Sequence, residues 1–414
     1  MDDDRAFAAE PSNVAERAAE FGWDNHRLEP GIGLALSGGG FRAMLFHAGA
    51  LLRLNELGLL SRVRRIAAVS RGSVTAGLLA RRWASLGPPD AAGALPGLRE
   101  AVVEPLLAFS ARVVDIPAVL KGLLPWSSAA EAVADAYDAH LFGGATLQDL
   151  PEAPGFVFCA SNLQTGVLWR FTRAYAGDYL VGRIAEPRLR LAIALAASSA
   201  FPPFLSPLRL AFGRDAFGEW PAGAPPVLPG REAYRRGVVL CDGGVYDNHG
   251  LEPIVKRFMT VLASDGGAPF AREPRVHGDW VRQLQRVVGV VDNQVRALRR
   301  RDLIDRFEAA HAALRAGRIG AEGIDPFLRF GAYWGIATSP AGPAPEDALR
   351  VDPVRAAALA RVSTRLADRG ARTSRALVNW GYAISDLCIR RHYAFGLPGQ
   401  APTPAWPYPA EALA

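Results

Sequence analysis

Three short stretches place reactive side chains or clustered glycines at the ends of apolar runs. The first is Ser37-Gly38-Gly39-Gly40-Phe41-Arg42, which follows GIGLAL and opens a long apolar segment. Consecutive glycines let a backbone approach a ligand and aim several N–H groups at one point. A helix N-terminus just beyond them adds its positive end. Such a nest suits a phosphate or an oxyanion. No Gly-Lys-Ser/Thr follows and G-x-G-x-x-G is absent, so nucleotide loops fit poorly. A turn that merely permits tight strand–helix packing is the alternative.

The second stretch is Ala68-Val69-Ser70-Arg71-Gly72. A serine nucleophile is often carried on a sharp strand-to-helix turn written G-x-S-x-G, with small neighbours because the turn is strained. Here Ala68 replaces the first glycine, and Arg71 is a bulky successor whose backbone N–H still suits an oxyanion. Ser70 as a simple helix N-cap is the competing reading. The third stretch, Val239-Leu240-Cys241-Asp242-Gly243-Gly244, ends an apolar run on an aspartate. It reads as a carboxylate facing a neighbouring strand end, or as an Asx turn.

The elements that must position these residues follow from pattern. Residues 31–36, 66–69, 238–241 and 261–263 read as short buried strands, 156–160 and 167–171 as strands joined by SNLQTG, and 333–338 as a further candidate. Residues 43–57, 74–83, 189–197 and much of 98–140 read as helices, and most of the chain beyond about 268 as well. Strand, glycine turn and helix occur twice within about fifty residues, which argues for a parallel sheet with crossover helices. Open sheets of that kind bind ligands at the C-terminal ends of their strands, where all three stretches fall. The expected organisation is an N-terminal arm over 1–28, one α/β domain over 29–395 with helical insertions near 98–140, and a Pro-rich tail over 396–414.

Composition narrows the function classes. Half the 414 residues are hydrophobic and 21% are charged, so a large core is available and wholesale disorder is excluded. The net charge of +6 is carried by arginine, with Lys121 and Lys256 the only lysines. The arginines are spread along the chain, which disfavours a nucleic-acid footprint and leaves attraction to anionic membrane surfaces as the better reading. Cys159, Cys241 and Cys388 show no paired spacing, which points away from disulfides and cysteine-based metal sites and toward a reducing compartment. No secretory leader is visible and no apolar run reaches the length of about 18 residues that a spanning helix needs. A cytoplasmic protein with peripheral membrane contact is the expectation.

Taken in order, GGGFR at 38–42, AVSRG around Ser70 and DGG at 242–244 resemble the patatin-like phospholipase family, whose marks are G-G-G-x-R, G-x-S-x-G and D-G-A/G. The stretches SNLQTG at 161–166, ASSAFPPFLSP at 197–207 and DGGVYDNHGLEP at 242–253 resemble its bacterial members, so the likeness runs over residues 31 to 265. The resemblance implies a three-layer α/β/α patatin-like fold with a mainly parallel central sheet. It also implies a phospholipase A or lysophospholipase activity without metal or cofactor. Ser70 would be the nucleophile and Asp242 the base, with Gly38, Gly39, Gly40 and the Arg71 amide as the oxyanion hole. Arg42 would steady the loop or meet substrate.

A Ser–Asp–His triad would need one of His47, His249, His277, His311 or His392, none of which sits in a recognisable context. Residues 104–126, rich in Leu, Val, Phe109 and Trp126, read as packed core or as an interfacial lid. Two competing functions remain at this level: a carboxylesterase for neutral lipids or small esters, and a non-catalytic lipid-binding regulator, to which the Ala68 and Arg71 departures lend some support.

Overall fold

The computed structural model describes residues 28–112, 129–218, 228–318, 325, 327–363 and 370–414. The N-terminal arm therefore lies outside the described residues apart from Leu28, as do Leu123 and Trp126 of the lid candidate.

The centre is a parallel array of five strands in the order β11 (Phe330–Gly335), β10 (Phe258–Asp265), β1 (Glu29–Leu36), β2 (Val63–Val69) and β3 (Gly155–Asn162). Beyond β3 the sheet turns antiparallel through β4 (Leu168–Phe171), β5 (Tyr175–Asp178), β6 (Gly182–Ala185) and β8 (Phe217–Gly218). β7 (Leu208–Leu210) and β9 (Val238–Asp242) pair with each other, and β9 joins β3.

Side chains alternate across a strand, and the two faces of this sheet bury different neighbours. Leu34, Leu36, Ile66, Ala68 and Phe158 point into the larger core, which includes α1 (Gly40–Glu56), α2 (Arg71–Arg82), α3 (Glu104–Ser110), α4 (Ala129–Tyr137) and α5 (Leu191–Ser198). Ala35, Ala67, Val69 and Cys159 point the other way, toward Ile254, Leu303 and Phe307, the last two from α6 (Trp280–Arg315). The result is the expected three-layer α/β/α arrangement.

α1 is apolar on nearly every side because it is enclosed by the sheet and by α8 (Gly370–His392), which follows the short α7 (Pro353–Ala360). The two helices touch through glycines. A Cβ on Gly49 would lie 1.9 Å from the Val378 carbonyl oxygen, and one on Gly381 would lie 1.9 Å from that of Phe46. Residues 396–414 lie along α8, where the Asn379 side-chain amide donates to the Tyr408 and Glu411 carbonyls. Of the lid candidate, the described part turns inward: Leu106 and Phe109 are buried, Phe109 against Phe41 and Tyr137. The three cysteines are buried and unpaired. Among the described residues, no helix is long and apolar enough to cross a membrane.

Candidate active site

Ser70 follows the last residue of β2 and precedes the first of α2, with φ 53° and ψ −130°. That is close to the first central position of a type II′ turn, a place normally filled by glycine. A side chain held there stores on the order of 1–3 kcal/mol of strain, which surrounding contacts must offset. They do so through Ser198 at the end of α5. The Ser70 N–H donates to the Ser198 carbonyl at 3.1 Å and to its hydroxyl at 3.0 Å, and that hydroxyl donates to the Cys159 carbonyl at 2.7 Å. Gly72 is required because a Cβ there would meet the Ser37 carbonyl oxygen at 2.4 Å. Ser70 occupies the N-cap position of α2, yet its hydroxyl makes no capping bond.

Ser70→Gly is expected to be more stable than Ser70→Ala by about 1 kcal/mol, because glycine relieves this backbone. Both variants lose the hydroxyl, so their difference isolates the backbone. Equal midpoints in urea would show that the turn is unstrained.

Strand pairing explains why Asp242 meets this serine. β2 pairs with β3 up to Val69↔Cys159, and β9 takes over the same edge from Ala160↔Asp242. β9 runs antiparallel to β3, so β2 and β9 approach head to head and their last residues adjoin. The Ser70 hydroxyl lies beside the Asp242 carboxyl and favours its ionised form. Oδ1 of Asp242 accepts the Gly244 N–H at 2.7 Å, and the Asp242 N–H donates to the Ala200 carbonyl at 2.9 Å. Burial pushes the Asp242 carboxyl up to about 6, against the lowering effect of the nearby Ser70 hydroxyl, the Gly244 bond and the Arg71 charge. Gly243 packs so tightly that a Cβ would sit 2.2 Å from the Cys159 carbonyl oxygen.

The glycine loop sits beside both residues. A Cβ on Gly38 would come 3.0 Å from the Ser70 Cβ and 2.4 Å from Oδ1 of Asn248. Asn248 also abuts Gly244, so one amide side chain keeps two glycines of different motifs bare. Sequence pattern gave no signal for it. The Gly38 N–H is already donated to the Asn248 carbonyl at 2.9 Å. This corrects the expectation that all three glycine amides are available to an oxyanion. Gly39 (φ 145°) and Gly40 (φ 67°) begin α1, whose first amides have no partner within the helix.

Of the two roles expected of Arg42, its contacts match the steadying of the loop. It is buried, and its guanidinium donates to the Gly266 carbonyl at 3.2 Å and the Val362 carbonyl at 2.7 Å, which ties the loop to the end of β10. Arg71 is likewise buried, with its guanidinium bonded to the Tyr137 hydroxyl and stacked on the Phe41 and Tyr137 rings at 5.4 and 5.1 Å. Its side chain is thus committed to α1 and α4, while its backbone opens α2 next to Ser70.

Behind the loop lies a charged hub centred on Asp265. Asp265 accepts from Ser37 Oγ at 3.1 Å, Tyr333 at 2.7 Å and the Gly267 N–H at 2.8 Å, with His249 at 3.3 Å and Arg296 at 3.5 Å. Burial alone would raise this carboxyl. Arg296 and His249, together with the bonds from His249 and Tyr333, outweigh that and hold it well below the usual range. His47 is enclosed, bonded to Ser264 Oγ at 2.8 Å and the Ser37 carbonyl at 2.9 Å, and burial pushes it down to about 4. Among the described residues, no histidine hydrogen-bonds Ser70 or Asp242. Asp247 accepts the His249 and Glu252 N–H groups.

A cavity of about 450 Å³ opens elsewhere, at the N-terminal ends of β2 and β3, lined by Arg65, Arg170, Arg173 and Arg257 among others. It contains none of these site residues.

The family model described as patatin-like phospholipase matches residues 34–255 of this chain. A search of the curated proteins found no match. Human GIVD cytosolic phospholipase A2 in complex with methyl gamma-linolenyl fluorophosphonate is 14% identical, with 93% of this chain and 62% of that chain covered and a TM-score of 0.45. VipD from Legionella pneumophila is 15% identical, with 82% and 66% covered and a TM-score of 0.31. Full-length ExoU of Pseudomonas aeruginosa, in complex with SpcU, is 20% identical over 43% of this chain and 39% of that one, at a TM-score of 0.23. The chain spans about half to two thirds of the first solved structures it matches.

Proposed function

The chain belongs to the patatin-like phospholipase family, and from that premise we propose that it is a serine lipid acyl hydrolase working through a Ser70–Asp242 dyad. The observation that carries the reading is the placement of the Ser70 hydroxyl beside a buried carboxyl, where two strands end head to head. Ser70 Oγ attacks the ester carbonyl carbon while its proton passes to the ionised Asp242. The carbonyl oxygen becomes an oxyanion, held by the backbone N–H groups of Gly39, Gly40 and Arg71. Each such donor is worth on the order of 3 kcal/mol in the transition state. Collapse breaks the bond to the alcohol oxygen, which leaves with the proton from Asp242. Water then attacks the acyl-Ser70, giving its proton to Asp242, and the fatty acid departs as Ser70 recovers its own.

The Arg71 guanidinium, set back between two rings, favours the ionised form of the base without touching the reacting atoms. The histidines support the dyad by their engagement elsewhere: His47 has both ring nitrogens bonded, and His249 faces Asp265.

Gly39→Ala tests the oxyanion assignment. Its Cβ would lie 2.5 Å from the Gly266 carbonyl oxygen at a φ that side chains avoid, so the amide must move. Loss of about 10²-fold in kcat is expected, with KM little changed. An unchanged kcat would remove Gly39 from the oxyanion hole.

The reading as a whole is tested by fatty-acid release from mixed phospholipid vesicles, compared between wild type and Ser70→Ala by mass spectrometry. Serine-dependent release supports it, and the products define acyl position and head group. Release that persists in Ser70→Ala would refute it.

A further inference from the structure

α6 is buried on one side only in its second half, through Leu303, Phe307 and Ala310. It connects two parallel strands, so it starts at the end of β10, where Asp265 lies, and runs back along the sheet. Arg296 and Arg299 fasten it at that level, Arg296 to Asp265 and the Ala268 carbonyl, Arg299 to the Tyr246 carbonyl and Asp247. The turns before Arg296 extend past this anchor, roughly 24 Å of helix at 1.5 Å per residue. Among the described residues, they are packed by little beyond the segment that leads into them, where Arg286 lies over the Phe270 ring at 4.1 Å.

The projecting turns are apolar where solvent would be expected. Trp280, Leu284, Val287, Val288 and Val291 recur at helical spacing and form one stripe. Trp280 is 77% exposed and the others are between 52% and 58%. Arg282 and Arg286 occupy the opposite face. A second exposed apolar group borders the dyad itself. Phe201 adjoins Ala200, whose carbonyl holds the Asp242 N–H, Phe204 follows it, and Val245 adjoins Gly244. Leu163, at the end of β3, completes the group.

Charge points to the occupant. Between residues 268 and 301 eight arginines stand against three carboxylates, with Arg272, Arg275, Arg282 and Arg286 on or before the projecting turns and Arg296 and Arg299 to Arg301 at or beyond the anchor. Arg296 and Arg299 are tied to carboxylates outside that segment, and the excess that remains is still positive. An apolar stripe that begins on a tryptophan, with arginines around it, suits the headgroup region of an anionic bilayer.

We propose that the first half of α6, together with Leu163, Phe201, Phe204 and Val245, is the surface by which this protein docks on an anionic phospholipid bilayer, with the Ser70–Asp242 rim toward the lipid. The orientation rests on the hydrolase reading above, since it delivers a membrane ester to that rim. The stripe and its charge do not depend on it.

The test compares wild type with Leu284→Asp/Val288→Asp, both at exposed positions, by co-sedimentation with phosphatidylglycerol–phosphatidylcholine vesicles. Affinity is expected to fall by about tenfold or more, because two apolar contacts are replaced by charges that anionic lipid repels. Hydrolysis of a short-chain monomeric ester should be unchanged, which also reports that the fold is intact. Vesicle binding without any ester hydrolysis by wild type would sink the hydrolase reading and leave the docking surface standing. Equal binding by the double variant would overturn the proposal, as would failure of wild type to bind. So would a wild-type dimer that the substitutions split, since the stripe would then be an interface between copies of this chain.

Discussion

Ser70→Ala is expected to lower ester hydrolysis by about 10⁴-fold or more, with substrate binding little affected and the fold intact. The size follows from what is lost. Without Oγ there is no acyl-enzyme, and the remaining oxyanion donors and binding contacts can only assist direct attack by water. Ser70→Gly should be equally inactive while relieving the backbone, so activity and stability move in opposite directions at one position. If Ser70 were only the first residue of α2, alanine there would cost little in either measure. The N-cap position without a capping bond argues against that reading.

Asp242→Asn is expected to reduce kcat by about 10³-fold, the range of a positioned general base. Asparagine can still accept a hydrogen bond from Ser70 but cannot take its proton. In the wild type the carboxyl must be ionised to act, and burial raises it to about 6. The rate should therefore climb as pH rises through about 6 and level off above it, and this acid limb should vanish in the variant's residual activity.

The same shift makes a statement about stability. A carboxyl near 3.9 when unfolded and near 6 when folded binds its proton more tightly in the native state. Its proton-linked stability is present below the unfolded value and is lost as pH rises between the two. Above that window the ionised, buried carboxylate costs roughly 2–3 kcal/mol. Asp242→Asn should thus be more stable than wild type at pH 7.5, and the difference should shrink toward pH 4. Urea midpoints at the two pH values check this, and a variant less stable at both would contradict it.

The chemistry was legible where a residue type and a strand end coincide. Gly38 to Gly40, Ser70 and Asp242 each terminate an apolar run, and the parallel centre of the sheet follows from the strand–glycine–helix repeats. The antiparallel direction of β9 was not legible, because a short buried strand carries no mark of its orientation. That direction is nevertheless what brings Asp242 to Ser70. Strands such as Tyr175–Asp178 and Gly182–Ala185 escaped notice because four residues that include glycine, aspartate and arginine show no usable alternation.

Side-chain direction is the other gap. Arg42 and Arg71 sit in motif positions that invite a substrate role, yet both guanidiniums are spent on internal partners. The Gly38 amide is spent on Asn248, whose contact arises only when residues 210 positions apart in the chain are folded together. The Asp265 hub has the same origin: its partner Ser37 lies 228 residues away. α6 falls in the stretch that reads in sequence as mostly helical, and only the fold reveals that half of its apolar face is left uncovered by the other described residues.

Labelling by an alkyl fluorophosphonate, followed by intact mass and peptide mapping, tests the nucleophile assignment most directly. The reagent needs an activated serine but no lipid surface, so it separates the dyad from membrane docking. The account predicts one adduct, on the peptide carrying Ser70, that forms faster above pH 6 than below and is absent from Ser70→Ala. A wild type that hydrolyses lipid ester yet carries its adduct on another residue, or that labels equally well as Ser70→Ala, would contradict it.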